Sequence, residues 1–124
     1  MENAKIKSFT DLNAWKLGHL LVLDIYKITK KFPMEERYGL ISQMQRAAVS
    51  ITSNIAEGFS RNTDKDKLQF YCMAHGSLTE LQNQLLISRD LKYLDKINFD
   101  SIAQQTITVG KLINGLKKIK YNEK

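Results

Sequence analysis

The segment from Tyr38 to Arg61, YGLISQMQRAAVSITSNIAEGFSR, limits the possible folds more than any other stretch of the chain. Leu40, Ile41, Met44, Ala47, Ala48, Ile51, Ile55 and Phe59 recur at spacings of three and four, so they share one side of a helix. A flank at the same period carries Gln43, Arg46, Ser50, Asn54, Glu57 and Arg61. The remaining side holds Val49, Thr52, Ser53 and Ala56, which are small or β-branched, and no residue from Ala47 to Ala56 is charged. A helix with a single buried face keeps a charged stripe toward water. This one lacks that stripe, so the pattern predicts neighbours on more than one side.

The rest of the chain reads as further helices of the same kind. At 124 residues with one proline, the sequence fits one all-α domain spanning 1–124. The periodicities predict helices over about 12–32, 34–61, 64–91 and 98–120. Thr10 or Asp11 is the expected cap of the first, Asn62 or Thr63 of the third, and Asn98 or Asp95 of the fourth. Phe32-Pro33 ends the first helix and opens the second, because the residue before proline is driven out of helical geometry. Short connections make successive helices antiparallel, which predicts an up-and-down four-helix bundle.

The first helix carries Leu12, Trp15, Leu17, Leu20, Leu21, Val22, Leu23, Ile25, Tyr26, Ile28 and Phe32, an apolar arc far wider than one core contact needs. A subunit interface using Trp15, Val22 and Tyr26 is the expected cover, so the chain reads as a homo-oligomer. Gly76, in the middle of the third helix, suggests close passage of another backbone or simple tolerance, at about 1 kcal/mol relative to alanine.

Polar residues of the second and third helices form the most specific constellation. A hairpin turning near Asn62 brings Arg46 level with Ser77 and Gln43 level with Glu80. A buried Arg46–Glu80 ion pair is expected there, within a structural polar network of Gln43, Arg46, Ser50, Asn54, Glu57, Ser77 and Glu80. Nucleophilic catalysis needs a base and an orienting acid, and Ser50, Ser53 and Ser77 have no histidine at a matching level. Cys72 and His75 are two potential ligands without a third, and His19 is isolated. No phosphate-cradling glycine motif occurs. The expectation is a non-enzyme with no catalytic residues, metal, cofactor or small-molecule substrate.

The formal charge is +6, from 19 basic and 13 acidic side chains. An up-and-down bundle places the second turn beside both chain ends. Lys5, Lys7, Arg61, Lys65, Lys67, Lys117, Lys118 and Lys120 are therefore expected to form one basic end, a candidate surface for RNA or DNA. No apolar run is long enough to span a bilayer, and the N-terminus lacks the core of a signal peptide. A single cysteine fits a reducing compartment, so a cytoplasmic location without membrane partners is expected. The alternative is a protein–protein scaffold without nucleic-acid affinity.

Three segments, FTDLNAWK (9–16), FPMEERYGLISQMQRAAVSITSNIAEGFSR (32–61) and GSLTELQNQLLIS (76–88), together resemble a known family. It is the bacterial four-helix-bundle proteins first noticed as products of intervening sequences in 23S ribosomal RNA genes, also called ribosomal-protein-like. The SITSNIAEG core, Ser50 to Gly58, carries most of the likeness. The resemblance implies a four-helix monomer assembled as a homopentamer. It also implies kinship with the accessory protein of diversity-generating retroelements, which binds nucleic acid and a reverse transcriptase through a basic pentamer. It brings no catalytic residue with it.

Overall fold

The computed structural model describes residues 5–122, with side chains described as far as Lys118. Four α-helices follow one another: α1 (Asn13–Thr29), α2 (Leu40–Ser60), α3 (Asp64–Asp90) and α4 (Lys96–Asn122). Among the described residues there is no strand. Helix α1 packs on α2 and α4, and α3 packs on the same two, while neither diagonal pair meets. The arrangement is a four-cornered bundle around one apolar core.

Side-chain contacts fix the directions. Gln45 of α2 donates to Thr29 of α1 at 3.2 Å, and Thr52 of α2 meets Gly18 of α1. Ser50 bonds Ser77 at 2.8 Å, and Gly58 abuts Tyr71. Gln82 donates to Thr106 at 3.1 Å and Gly110 lies against Leu78, while Gln105 of α4 donates to Asp24 of α1 at 2.8 Å. In each pair one number rises as the other falls, so consecutive helices run antiparallel. The α2–α3 turn, the start of α1 and the end of α4 share one end of the bundle.

The predicted helix boundaries shift where local chemistry intervenes. Helix α1 stops at Thr29 rather than 32, and α2 begins at Leu40 rather than 34. Between them Met34–Glu36 forms a 3-10 turn, and Glu36 Oε1 accepts from the Leu40 amide at 3.1 Å. An acidic side chain thus caps α2 from outside, and Pro33 opens the 3-10 turn instead of the α-helix. The first cap also moves. Ser8 caps a 3-10 turn at Phe9–Asp11, where Asp11 Oδ2 accepts from the amides of Lys7 (2.9 Å) and Ser8 (3.1 Å). Those two donors hold the Asp11 carboxyl below its ordinary pKa. Thr63 caps α3 by accepting from the Asp66 amide, and Asp95 accepts from the Asn98 amide at the head of α4. Helix α4 therefore starts at 96 rather than 98.

Helix α3 ends in a Schellman motif. Tyr93 N–H reaches Ser88 O at 2.9 Å and Lys92 N–H reaches Arg89 O at 3.0 Å, with Lys92 at φ 66. A lysine holds the left-handed position that glycine occupies without strain. Lys92→Gly is expected to stabilise the fold by up to about 1 kcal/mol, read as a higher urea midpoint. An unchanged or lower midpoint would contradict this account of the turn.

The core is narrower on α1 than the sequence suggested. Ala14, Gly18, Leu21, Ile25 and Thr29 form a single buried stripe whose first two members are small. Helix α2 buries Leu40, Met44, Ala47, Ala48, Ile51, Thr52, Ile55 and Gly58, a broader face. Helix α3 adds Tyr71, Ala74, Leu78, Leu81 and Leu85, and α4 adds Ile102, Thr106, Val109 and Ile113. Buried polar groups are largely served: Thr29 Oγ1 donates to Ile25 O at 2.8 Å while accepting from Gln45. Gln84, 4% exposed, donates to Glu80 at 3.3 Å, and its Oε1 finds no partner among the described residues.

Two glycines permit close approach. A Cβ on Gly18 would stand 3.0 Å from Thr52 Cγ2, and one on Gly58 would stand 2.7 Å from Tyr71 Cε1. Gly76 is the reverse. Nothing lies within 4 Å of a Cβ built there, so tolerance rather than close packing explains it.

Candidate nucleic-acid interface

The register of the α2–α3 hairpin reorders the expected polar network. Ser50, rather than Arg46, meets Ser77, and Ser88 reaches Met44 Sδ at 3.4 Å. Side chains lean toward the N-terminus of their own helix, so touching residues in an antiparallel pair lie further along each chain than level Cα atoms do. Asn54 completes a cluster by donating to Ser50 Oγ at 3.1 Å and to Ser50 O at 2.9 Å. Arg46 and Glu80 are both exposed, and no ion pair joins them among the described residues. Gln43 is exposed as well, and Glu57 pairs with Arg61 at 3.3 Å on the surface. The structure thus brings Ser50, Asn54 and Ser77 together and leaves Gln43, Arg46 and Glu57 apart from them. Water, not the interior, solvates the Arg46 guanidinium, which removes the reason for a buried partner.

The residues expected at a subunit interface also divide. Trp15 and Val22 pack against the core of their own chain, and Trp15 stacks on His19 at 4.7 Å and meets Phe9 edge-on at 5.5 Å. Tyr26 remains open at 42% exposure, in line with Leu17 (37%), Leu20 (52%) and Leu23 (52%). The last three line a groove of about 620 Å³ with Asp24, Lys27 and Gln104, Gln105, Thr108 and Val109 of α4. The apolar surplus of α1 therefore falls on its α4 side, because the small Ala14–Gly18 pair turns toward α2.

The antiparallel topology sets Lys5, Lys7, Lys16, Arg61, Lys65, Lys67, Lys111, Lys117 and Lys118 in the half of the bundle that holds the α2–α3 turn. Among the described residues their acidic company there is Asp11, Glu57, Asp64 and Asp66. In the other half Lys27, Lys30, Lys31, Arg37, Arg89, Lys92 and Lys96 stand beside Asp24, Glu35, Glu36, Asp90, Asp95 and Asp100, which nearly balances them. The net positive charge of the described chain accordingly gathers at the first end. The Lys120 side chain lies outside the described residues, as does that of Ile119.

These cations are not equivalent. Lys67 donates to Phe59 O at 2.7 Å and sits over the Phe59 ring, so it caps the last turn of α2 rather than facing outward freely. Arg61 lies over the Phe70 ring at 4.5 Å and pairs with Glu57. Lys5, Lys7, Lys65 and Lys118 are exposed. Half-buried Lys117 places its Nζ 2.9 Å from Nδ1 of His75. Nothing in the sequence pattern signalled that contact, since residues 75 and 117 meet only through the α3–α4 register.

Burial first, and then the Lys117 charge, lower the pKa of His75, against a smaller opposing bond from Asn114. The folded protein holds this proton less tightly than the unfolded chain does. The resulting contribution to stability is present above the ordinary histidine value of about 6.5 and is lost as pH falls through it. A proton-NMR titration is expected to place His75 below that value and to move it upward in Lys117→Gln. No movement in the variant would show that Lys117 exerts no field on the ring.

Cys72 is exposed and free. Among the described residues no three His, Cys, Asp or Glu side chains gather to hold a metal ion. No described helix is long and apolar enough to cross a membrane.

Comparison with known proteins bears on the same elements. A family model described as "23S rRNA-intervening sequence protein" matches residues 10–115. A solved structure from Bacteroides thetaiotaomicron VPI-5482, described as a protein with unknown function from the S23 ribosomal protein family, superposes with a TM-score of 0.76 at 18% identity. The alignment covers 85% of this chain and 98% of that one, so the two share a fold. No curated protein matches the chain.

Proposed function

The chain belongs to the 23S rRNA-intervening sequence protein family, and on that footing we propose that it is a non-enzymatic, homo-oligomeric bundle whose basic end binds RNA or DNA. The observation that carries this reading is the asymmetry of charge. The end holding the α2–α3 turn presents Lys5, Lys7, Lys65 and Lys118 to solvent with few carboxylates among the described residues there, while the other end is close to balanced. A fold that concentrates one sign of charge on one end attracts polyanions over about a Debye length. Filter binding to a hairpin RNA and a DNA duplex at low salt tests it. Micromolar or tighter binding that weakens with salt is expected, and no binding to either probe would refute the reading.

Oligomerisation draws support from α1. Leu17, Leu20 and Leu23 line a groove against α4 that a monomer leaves in water, and Tyr26 lies open on the α2 side of the same helix. A homopentamer is the assembly we favour, and several copies would add their basic ends into one field. Leu20→Glu combined with Leu23→Glu is expected to convert the assembly to monomers in sedimentation velocity with the helical circular dichroism intact. Wild-type protein that sediments as a monomer at micromolar concentration would remove this part of the proposal.

A scaffold role is the second reading, favoured by Met34 (72% exposed), Tyr38 (88%) and Ile97 (80%) at the opposite end. Loss of co-purifying partners after nuclease treatment would argue for nucleic acid over direct protein contact.

A further inference from the structure

Among the described residues, the Lys117–His75 contact leaves a charge without a counter-charge. A lysine ammonium can only donate, so Nδ1 of His75 accepts and the neutral ring carries its proton on Nε2. The ammonium keeps two further N–H groups. Both residues are half-buried, and the contact supplies no carboxylate to the ammonium. Arg61 has Glu57 and the Phe70 ring, and Lys67 has the carbonyl end of α2. Lys117 has an imidazole and, among the described residues, no acidic partner. By sequence spacing, the groups within one helical turn are Tyr71, Cys72 and Thr79 on α3 and Asn114, Lys118, Lys120 and Tyr121 on α4. None of them is a carboxylate. Of the charged groups described, Lys117 is the one that acts on the ring.

We propose that His75 and Lys117 form an anion seat on the α3–α4 face that takes one phosphate oxyanion of the nucleic acid, an inference that rests on the polyanion-binding reading above. The oxyanion accepts from the Lys117 ammonium and, once the ring takes up a proton, from the Nδ1–H of His75 on the same side, whereas Nε2–H points away across the ring. Its negative charge replaces the missing carboxylate and makes protonation of the ring easier. Binding of the phosphate and uptake of a proton by His75 therefore reinforce one another, so affinity rises as pH falls.

Two measurements test the seat separately from the reading it rests on. The first titrates inorganic phosphate into the full chain and follows the His75 ring by NMR, with Lys117→Gln as control. A saturating shift and an upward move of the His75 pKa are expected, both lost in the variant. The second measures affinity for a short DNA duplex and a hairpin RNA at about pH 7.5 and pH 5.5, where a gain of at least about threefold on acidification is expected. His75→Gln should remove that pH dependence, and Lys117→Gln should lower the salt slope by about 1. If the oligonucleotides bind but neither variant alters pH dependence or slope, the seat is refuted while nucleic-acid binding stands. If no oligonucleotide binds yet phosphate still shifts His75, the seat stands and the nucleic-acid reading falls. If phosphate leaves His75 unmoved and acidification gives no gain, the seat is overturned.

Discussion

Tyr71→Ala is expected to destabilise the bundle by about 3–5 kcal/mol, as other large buried aromatics do on truncation. Tyr71 is 1% exposed, and its ring lies where a Cβ on Gly58 would have to go. Gly58→Ala is therefore expected to cost about 1–3 kcal/mol through overpacking, even though alanine is the better helix former. The two effects share one cause, so they should not add. In a Tyr71→Ala background the alanine at 58 has room, and its cost is expected to vanish or change sign. Urea melts of the two single variants and the double variant complete the cycle. Additive costs would mean that the ring and the glycine do not constrain each other.

Nucleic-acid affinity is expected to fall steeply with salt. If the four exposed lysines Lys5, Lys7, Lys65 and Lys118 each neutralise one phosphate of duplex DNA, the slope of log K against log salt is about −3.6. Between about 50 and 200 mM salt that corresponds to roughly a hundredfold loss of affinity. Replacing Lys65 and Lys118 together with glutamine should reduce the slope by about 2 and weaken all sequences alike. The capped Lys67 provides a contrast, since Lys67→Gln should lower stability more than it changes the slope. A flat salt response would rule out phosphate contacts as the source of binding. A slope unchanged in the Lys65 and Lys118 variant would locate them elsewhere.

Much of the architecture was legible in the residues. The three-and-four spacing over Leu40–Phe59 lies on a helix whose buried members, Met44, Ala47, Ala48, Ile51 and Ile55, match the apolar side read from the pattern. Thr63 and Asp95 act as caps because their short oxygens reach an amide two or three residues on, which is a local property. The start of α2 was less legible. Glu36 and Pro33 stabilise a 3-10 turn that looks, one residue at a time, like a helix N-terminus.

Pairings between helices were harder to read. The Arg46–Glu80 pair failed although 46 and 80 lie close to the register of the Ser50–Ser77 contact, because both side chains are exposed and water solvates their charges. The surplus leucines of α1 were visible, but which of them stay open depends on how the small Ala14–Gly18 stripe rotates the helix against α2. The Lys117–His75 contact joins residues 42 apart in sequence, and it arises from the α3–α4 register alone.

The sequence by itself determined four amphipathic helices, their order and the end at which basic charge collects. Periodicity, caps and short turns act between neighbours in the chain, and antiparallel packing of consecutive helices follows from them. Only the tertiary structure decided the rotation and register of each helix. Those depend on how ridges and small residues fit at every corner at once, and they determine which polar groups meet, which leucines remain in water and which lysine lies against a histidine ring.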